Sequence, residues 1–316
     1  MRVLHVIVPL VLIAVILSMV GAADVVARLR AANPAWVLAA VIACSAQVIL
    51  CAVRWRLTAA RLRALIPLNR AVGEYYLSSL VNTTVPGGVV GDAMRAVRTR
   101  GAAGFETAAQ AVVIERLAGQ IALGAVLITG LAASGLPHLQ WPAAVAALVS
   151  AAIAVGLMVL RRNGMHRAMP AVLRRFLGAI RQSWLGGAGP AQATLSLLIV
   201  AANIAAFIFA ARAAGATLAI ADALFAVPLI LAAMLIPFSV AGWGYREGAA
   251  AAVFPLIGGS AAAGVSASIL FGVAILLASL PGLFVLIFQR RQQAVAAETP
   301  PAMQESLPKA SSHPDG

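Results

Sequence analysis

Six ionisable residues stand inside strongly apolar sequence: Asp92, Arg95, Glu115, Arg116, Arg246 and Glu247. Taking such a charge out of water costs at least ~2.5 kcal/mol on insertion scales, so each needs a partner. Groups at this depth are rare, face a bundle interior and mark pathways. Asp92 and Arg95 are three apart, and on a short helix they can pair. Two readings follow. They form a stabilising pair, or Asp92 holds Arg95 for a phosphate, which the planar guanidinium fork binds bidentately. Glu115 and Arg116 are adjacent, about 100° apart on a helix, so they pair poorly with each other. The candidates for Arg116 are Asp92 or Glu247, and for Glu115 Arg95 or Arg246. Arg246 and Glu247 follow Gly242-Trp243-Gly244. Glycines let backbone approach a ligand closely, and a half-helix starting at Glu247 would offer free N–H groups as an anion cradle. Asn82 is a further candidate; with Tyr75, Tyr76, Thr83 and Thr84 it either lines a cavity or satisfies local backbone.

Both charged sets follow a helix break. The stretch Val85-Pro86-Gly87-Gly88-Val89-Val90-Gly91-Asp92-Ala93-Met94-Arg95 has a counterpart at Ile236-Pro237-Phe238-Ser239-Val240-Ala241-Gly242-Trp243-Gly244-Tyr245-Arg246. Each reads apolar-Pro, four residues, Gly, three residues, Arg. Irregular backbone at membrane depth is tolerated only where it is buried in protein or lines a cavity. Paired interruptions in two halves point to a binding site between them. Pro86, Gly87, Gly88, Gly91, Pro237, Gly242 and Gly244 are therefore read as the breaks of two hairpins.

Composition sets the medium. The 316 residues are 62% hydrophobic and 10% charged, against roughly 25% charged in soluble domains. Lipid must be the solvent of residues 1–291, read as one membrane domain. Residues 292–316 are too poor in apolar side chains to pack and are read as a disordered cytoplasmic tail. The net charge of +13 comes from 22 Arg and a single Lys beside apolar spans, not on one soluble face. That excludes a nucleic-acid partner. It matches the basic bias of cytoplasmic loops and contact with anionic headgroups. Cys44 and Cys51 would lie about 10.5 Å apart along a helix, too far for a disulfide. The four histidines are scattered. No metal set, cofactor motif or catalytic motif is found, so none is expected.

Apolar spans fall at about Val3–Val20, Ala35–Val53, Thr107–Ser134, Trp141–Leu160, Ala191–Ala211 and Ala261–Phe288. The first exceeds the apolar core of a secretory signal and is read as an uncleaved anchor. A short loop after it carries Asp24, Arg28 and Arg30. Residues Val72–Val90 are too short and interrupted for a full crossing, and basic residues flank both ends, so a re-entrant hairpin from the cytoplasm is expected. Ala221–Val240, a break at Ala241–Gly244, and Ala249–Ile257 form a second hairpin from the opposite side. In the basic cytoplasmic segment 161–189, Val172, Leu173, Phe176, Leu177, Ile180 and Trp184 recur at helical spacing, as in a helix lying on the inner leaflet. The expected fold is all-α and polytopic, with about six full spans, two inverted hairpins and both termini cytoplasmic. Arg28, Arg30 and Arg212 then lie outside and Arg116 and Arg246 in the membrane or at its rim; the other seventeen Arg and Lys309 lie inside, a bias that orients the chain. Arg54, Trp55 and Arg56 are read as interface anchors, and Gln110 and Asn203 as interhelical hydrogen-bonding groups.

The run Asn82…Pro86-Gly87-Gly88…Gly91-Asp92…Arg95, the pair Glu115-Arg116, and Pro237…Gly242-Trp243-Gly244-Tyr245-Arg246-Glu247 together resemble one family, the lysylphosphatidylglycerol synthase transmembrane region or flippase-like domain family. Arg54-Trp55 is similar too, and the likeness covers about residues 3–290. It implies an integral protein of the bacterial or archaeal plasma membrane. In the best-understood members this domain moves an aminoacylated phospholipid between leaflets. Those members carry a soluble aminoacyl-transferring domain after the membrane part; here a short tail follows, so synthesis of lysylphosphatidylglycerol is not expected. Other short members are linked to glycolipid and hopanoid-related pathways, so the family name does not specify the lipid.

The resulting expectation is a lipid translocase of the inner membrane. Two hairpins would shape a polar groove, Arg95, Arg116 and Arg246 would meet phosphate, and Asp92, Glu115 and Glu247 would hold them or meet a cationic headgroup. Membrane lipids, anionic phospholipid among them, are the expected partners. Two alternatives belong to other classes: a membrane enzyme on a lipid-linked substrate with Asp92 or Glu115 as base, and an assembly partner of a synthase in envelope lipid biosynthesis.

Overall fold

Eleven helices and no strand make up the described residues of the computed structural model, 4–85, 88–134, 170–185, 187–235 and 241–288. They are α1 (Leu4–Val20), α2 (Ala22–Arg30), α3 (Pro34–Arg61), α4 (Leu68–Thr84), α5 (Val90–Arg98), α6 (Gly104–Ala133), α7 (Ala171–Leu185), α8 (Gly189–Ala213), α9 (Ile220–Ala232), α10 (Tyr245–Val253) and α11 (Ala261–Ser279). Four helices are long and apolar enough to cross a bilayer: α3, α6, α8, and α11 with its continuation to Phe288. The pair α1 and α2, bent by 96°, makes a fifth if it is one span. Among the described residues the protein is an all-α, polytopic membrane protein. The expected span Trp141–Leu160, the start of the basic segment up to residue 169, the tail 292–316, and the break residues Pro86, Gly87 and Pro237 lie outside the described residues.

Local chemistry sets the helix ends. Asn33 accepts from the Ala35 N–H at 2.9 Å and Pro34 takes the first helical position, so α3 starts with an orphan donor satisfied and no wasted N–H. Ser260 caps α11 through the Ala263 N–H. The residues expected as a loop around Asp24 are instead the helix α2. Asp24 in its first turn and Arg28 and Arg30 in its last suit the helix dipole, and Val25 is buried. Helix α4 runs on through Asn82, Thr83 and Thr84, and both threonine hydroxyls bond back to carbonyls of their own helix. The break begins at Val85.

Charge is buried and apolar surface exposed to a degree that a soluble protein does not show. Arg54, Glu74, Asp92, Arg95, Glu115, Arg246 and Glu247 are buried, whereas Leu38, Ile42, Ile121 and Leu197 on the long helices are more than half exposed. Apolar side chains face outward because lipid solvates them, and charges turn inward because lipid does not. Helix α3 is the spine: it packs along α8 and also touches α4, α6 and α11. Its first half, at Ala40 and Cys44, joins a core with Phe207, Phe225, Phe254 and Phe271. Its second half, at Val48, Cys51, Ala52 and Trp55, joins another core with Tyr75, Ala96 and Ile114. Small residues set the tightest crossings. A β-carbon at Gly130 of α6 would lie 2.6 Å from the Leu224 carbonyl of α9, and one at Gly264 of α11 would meet the Ala250 carbonyl of α10.

Helix α7 lies where an amphipathic segment was expected, yet part of its apolar face is on protein. Phe176, Ile180 and Trp184 pack on the second core, and Gln182 donates to the Arg61 carbonyl at the end of α3. Val172 and Leu173 remain exposed. Gln110 and Asn203 do not bond between helices as expected. Each reaches back four residues on its own helix, to Glu106 and to the Ile199 carbonyl, the nearest acceptors.

Candidate functional site

Five helices build one charged cluster. Its centre is Glu115 of α6, 1% exposed. Arg54 of α3 donates to Glu115 Oε1 at 2.7 Å and to the Glu115 carbonyl at 3.1 Å, while its other terminal nitrogen donates to Ser196 of α8 at 2.9 Å. The Tyr75 hydroxyl of α4 lies 3.2 and 3.3 Å from the two Glu115 oxygens. Arg95 of α5 donates one nitrogen to Glu115 Oε2 at 3.4 Å and to Asp92 Oδ1 at 3.0 Å. Asp92 also accepts from Ser78 at 3.1 Å and Asn82 at 3.2 Å, and pairs with Arg116 at 2.6 Å. Its four acceptor sites are thereby filled.

The cluster exists because α5 lies hard against α4. A β-carbon at Gly91 would run into the Ser78 carbonyl and sit 2.9 Å from Asn82 Oδ1. That oxygen instead accepts the Gly91 N–H at 2.8 Å, so Asn82 satisfies the first turn of α5 and holds Asp92 at once. Glu74 of α4 clamps the far end of α5 through a two-pronged pair with Arg98, at 2.7 and 2.9 Å.

Two features leave the cluster incompletely matched. Three arginines face two carboxylates, so the set carries one surplus positive charge. The Arg95 guanidinium is stacked between the Trp55 and Tyr75 rings, 4.5 and 4.2 Å from their centres, and its Nε and Nη1 have no hydrogen-bond partner. Only its edge can donate further bonds. The Arg116 side chain, by contrast, is 45% exposed. It leaves α6 on the same outward face as Val113, Leu117 and Ile121 and reaches back to Asp92.

The second set is closed on itself. Arg246 Nη2 and Nε donate to Glu247 Oε1 at 2.7 and 3.2 Å, and Nε donates to Ser268 of α11 at 2.9 Å. Ser268 in turn donates to the same oxygen. The helix expected to start at Glu247 with free N–H groups starts at Tyr245 instead, and Glu247 Oε2 takes the Gly244 N–H at 2.6 Å, because a glutamate three residues into a helix folds back on its own N-cap. Gly272 clears the space: a β-carbon there would meet Arg246 Nη2 and lie 2.9 Å from the Trp243 ring. The break before α10 is tight, with positive φ at Ala241, Gly242 and Gly244.

Of the sequence candidates, Asn82, Asp92, Arg95, Glu115 and Arg116 come together, and Gly91 makes their approach possible. Arg116 takes Asp92 of its two offered partners, and Glu115 takes Arg95. No hydrogen bond or ion pair joins these to Arg246 or Glu247, which pair with each other beside Phe271 of the first core. Arg54 was read as an interface anchor and is not one: it is 2% exposed and is the closest partner of Glu115, because α3 continues two turns further to Arg61. Only the exposed Arg56 of that trio stays at the surface. The signal for Arg54 was the unmet need of Glu115 for a cation outside its own helix.

The profile described as Lysylphosphatidylglycerol synthase TM region matches residues 2–282. No curated protein and no solved structure matches the chain.

Proposed function

Because the chain belongs to the Lysylphosphatidylglycerol synthase TM region family, and so is a multi-pass membrane protein of lipid metabolism or transport, we infer that it moves a lipid headgroup between leaflets. The observation that carries this reading is Arg116. It is ion-paired to a buried polar cluster at one end, half-exposed, and flanked along α6 by exposed Val113, Leu117 and Ile121. A headgroup can enter the cluster there while its acyl chains stay beside the apolar face. The helix-break-helix pairs α4–α5 and α9–α10 are read as the two hairpins of an inverted arrangement in a bacterial plasma membrane, with both termini cytoplasmic. In that arrangement the first set is the headgroup station and the self-paired Arg246–Glu247 set holds the second hairpin.

The enzyme alternative draws little support from the carboxylates. Asp92 accepts from four groups and has no free lone pair to abstract a proton, and Glu115 is already held by three donors, two of them arginines. An assembly role would need only the exposed faces, and a buried set with one unspent charge serves no such purpose. The test is purified protein in liposomes carrying a fluorescent phospholipid and an impermeant quencher. Wild-type protein speeds transfer between leaflets. Arg116→Ala inserts with a stability loss of no more than about 1–2 kcal/mol but loses transfer; transfer at the wild-type rate would count against the assignment.

A further inference from the structure

We propose that the first-half cluster takes a single negative charge borne as a phosphodiester on a lipid, and discriminates against lipids whose headgroup carries net positive charge. This rests on the translocase reading of the same residues and adds the class of substrate.

The charge count is the first ground. Arg54, Arg95 and Arg116 face Asp92 and Glu115, and the nearby Glu74–Arg98 pair is neutral by itself. The surplus rests on half-exposed Arg116: one monoanion there brings the set to zero, a zwitterion leaves it at plus one, and a cationic headgroup raises it to plus two. An uncompensated charge in this setting is costly, so the monoanion is favoured. Open donors are the second ground. Arg95 has no side-chain exposure, yet its Nε and Nη1 have no partner. A buried guanidinium with three of its five N–H bonds unmet is a donor set waiting for oxygens. The neighbouring carboxylates do not repel an incoming anion strongly, since every oxygen of Asp92 and Glu115 already faces a donor. The third ground separates a lipid from a soluble phosphate. The cluster reaches the surface at Arg116, whose neighbours on α6 are apolar and exposed. The second set, one arginine and one glutamate with their bonds closed, has neither surplus charge nor an open face.

The experiment presents full-length protein in uncharged detergent with equal amounts of phosphatidylglycerol, phosphatidylethanolamine and lysylphosphatidylglycerol, and counts retained lipid by native mass spectrometry. The same three lipids are assayed for transfer in liposomes. Phosphatidylglycerol is retained over phosphatidylethanolamine by about tenfold, well below the ceiling one charge contact allows, and lysylphosphatidylglycerol is retained least. Arg116→Gln, at a half-exposed position that folding tolerates, brings phosphatidylglycerol down to the phosphatidylethanolamine level. Arg174→Gln, on the exposed face of α7, does not, which separates the cluster from general surface attraction. Excess glycerol phosphate leaves the retained lipid in place. Equal retention of the three lipids, or unchanged retention in Arg116→Gln, overturns the proposal, as does displacement by glycerol phosphate. Equal retention with rapid transfer would leave the translocase reading standing. Selective retention without transfer of any lipid would remove that reading and keep this one.

Discussion

Glu115→Gln removes the charge on which two buried arginines converge. In the wild type its oxygens receive Arg54 at 2.7 Å, Tyr75 at 3.2 and 3.3 Å, and Arg95 at 3.4 Å. The amide keeps one acceptor oxygen, so the 2.7 Å bond to Arg54 survives in weakened form. Its NH2 faces either Arg95 or Tyr75, and a second surplus positive charge stays buried. Breaking a buried pair by removing one partner costs about 3–5 kcal/mol, and the retained acceptor places this change near 3 kcal/mol. That is on the order of a hundredfold in the folded-to-unfolded ratio. The assay is unfolding in mixed micelles by titration with a denaturing detergent, followed by far-ultraviolet circular dichroism. A double-mutant cycle with Arg54→Met separates the pair from general damage. Each single change destabilises strongly, and the double change costs roughly 2 kcal/mol less than their sum because no orphaned charge remains between them. A Glu115→Gln protein within about 1 kcal/mol of wild type, with an additive cycle, would refute the reasoning that lipid-excluded charges are held by mutual pairing.

Gly91→Ala forces α5 away from α4, since the new methyl would meet the Ser78 carbonyl and Asn82; a loss of about 1–3 kcal/mol is expected together with loss of lipid retention, read by unfolding and native mass spectrometry. Gly272→Ala drives a methyl into Arg246 and Trp243, and costs a similar roughly 1–3 kcal/mol. Gly124→Ala on α6 meets nothing within 4 Å and stays within about 0.5 kcal/mol of wild type, or gains slightly from helix propensity. Arg98→Ala leaves Glu74, 4% exposed, without its two-pronged partner; because Arg98 is itself 29% exposed, solvent screening limits the loss to about 1–2 kcal/mol in the same unfolding assay.

Much of the site was legible because its signals are local. Asp92 and Arg95 pair as their spacing of three requires. Gly91 was read as part of a hairpin break; it lies instead in the first turn of α5, and the Ser78 carbonyl beneath it is what needs the room. Arg116 found one of two partners that charge matching had offered. Arg54 was misread because the end of an apolar run looks the same whether the helix stops there or continues. Only the packing of α3 on α8, with Ser196 waiting for the guanidinium, shows that the position is interior. The cradle expected at Glu247 failed for a similar reason: composition shows a carboxylate near a helix start, but not that it turns back on Gly244.

By itself the chain determined its solvent, its long apolar helices, and the fact that its few internal charges must be matched. Those follow from hydropathy and the cost of a bare ion in lipid, neither of which needs a partner's address. Tertiary structure alone decided which charges meet. It put Arg54 and Glu115, 61 positions apart, in contact, stacked Arg95 between two rings, and kept Arg246 with its own neighbour. Helical periodicity states which face a residue occupies, whereas the choice of cation for each carboxylate depends on which helices pack together.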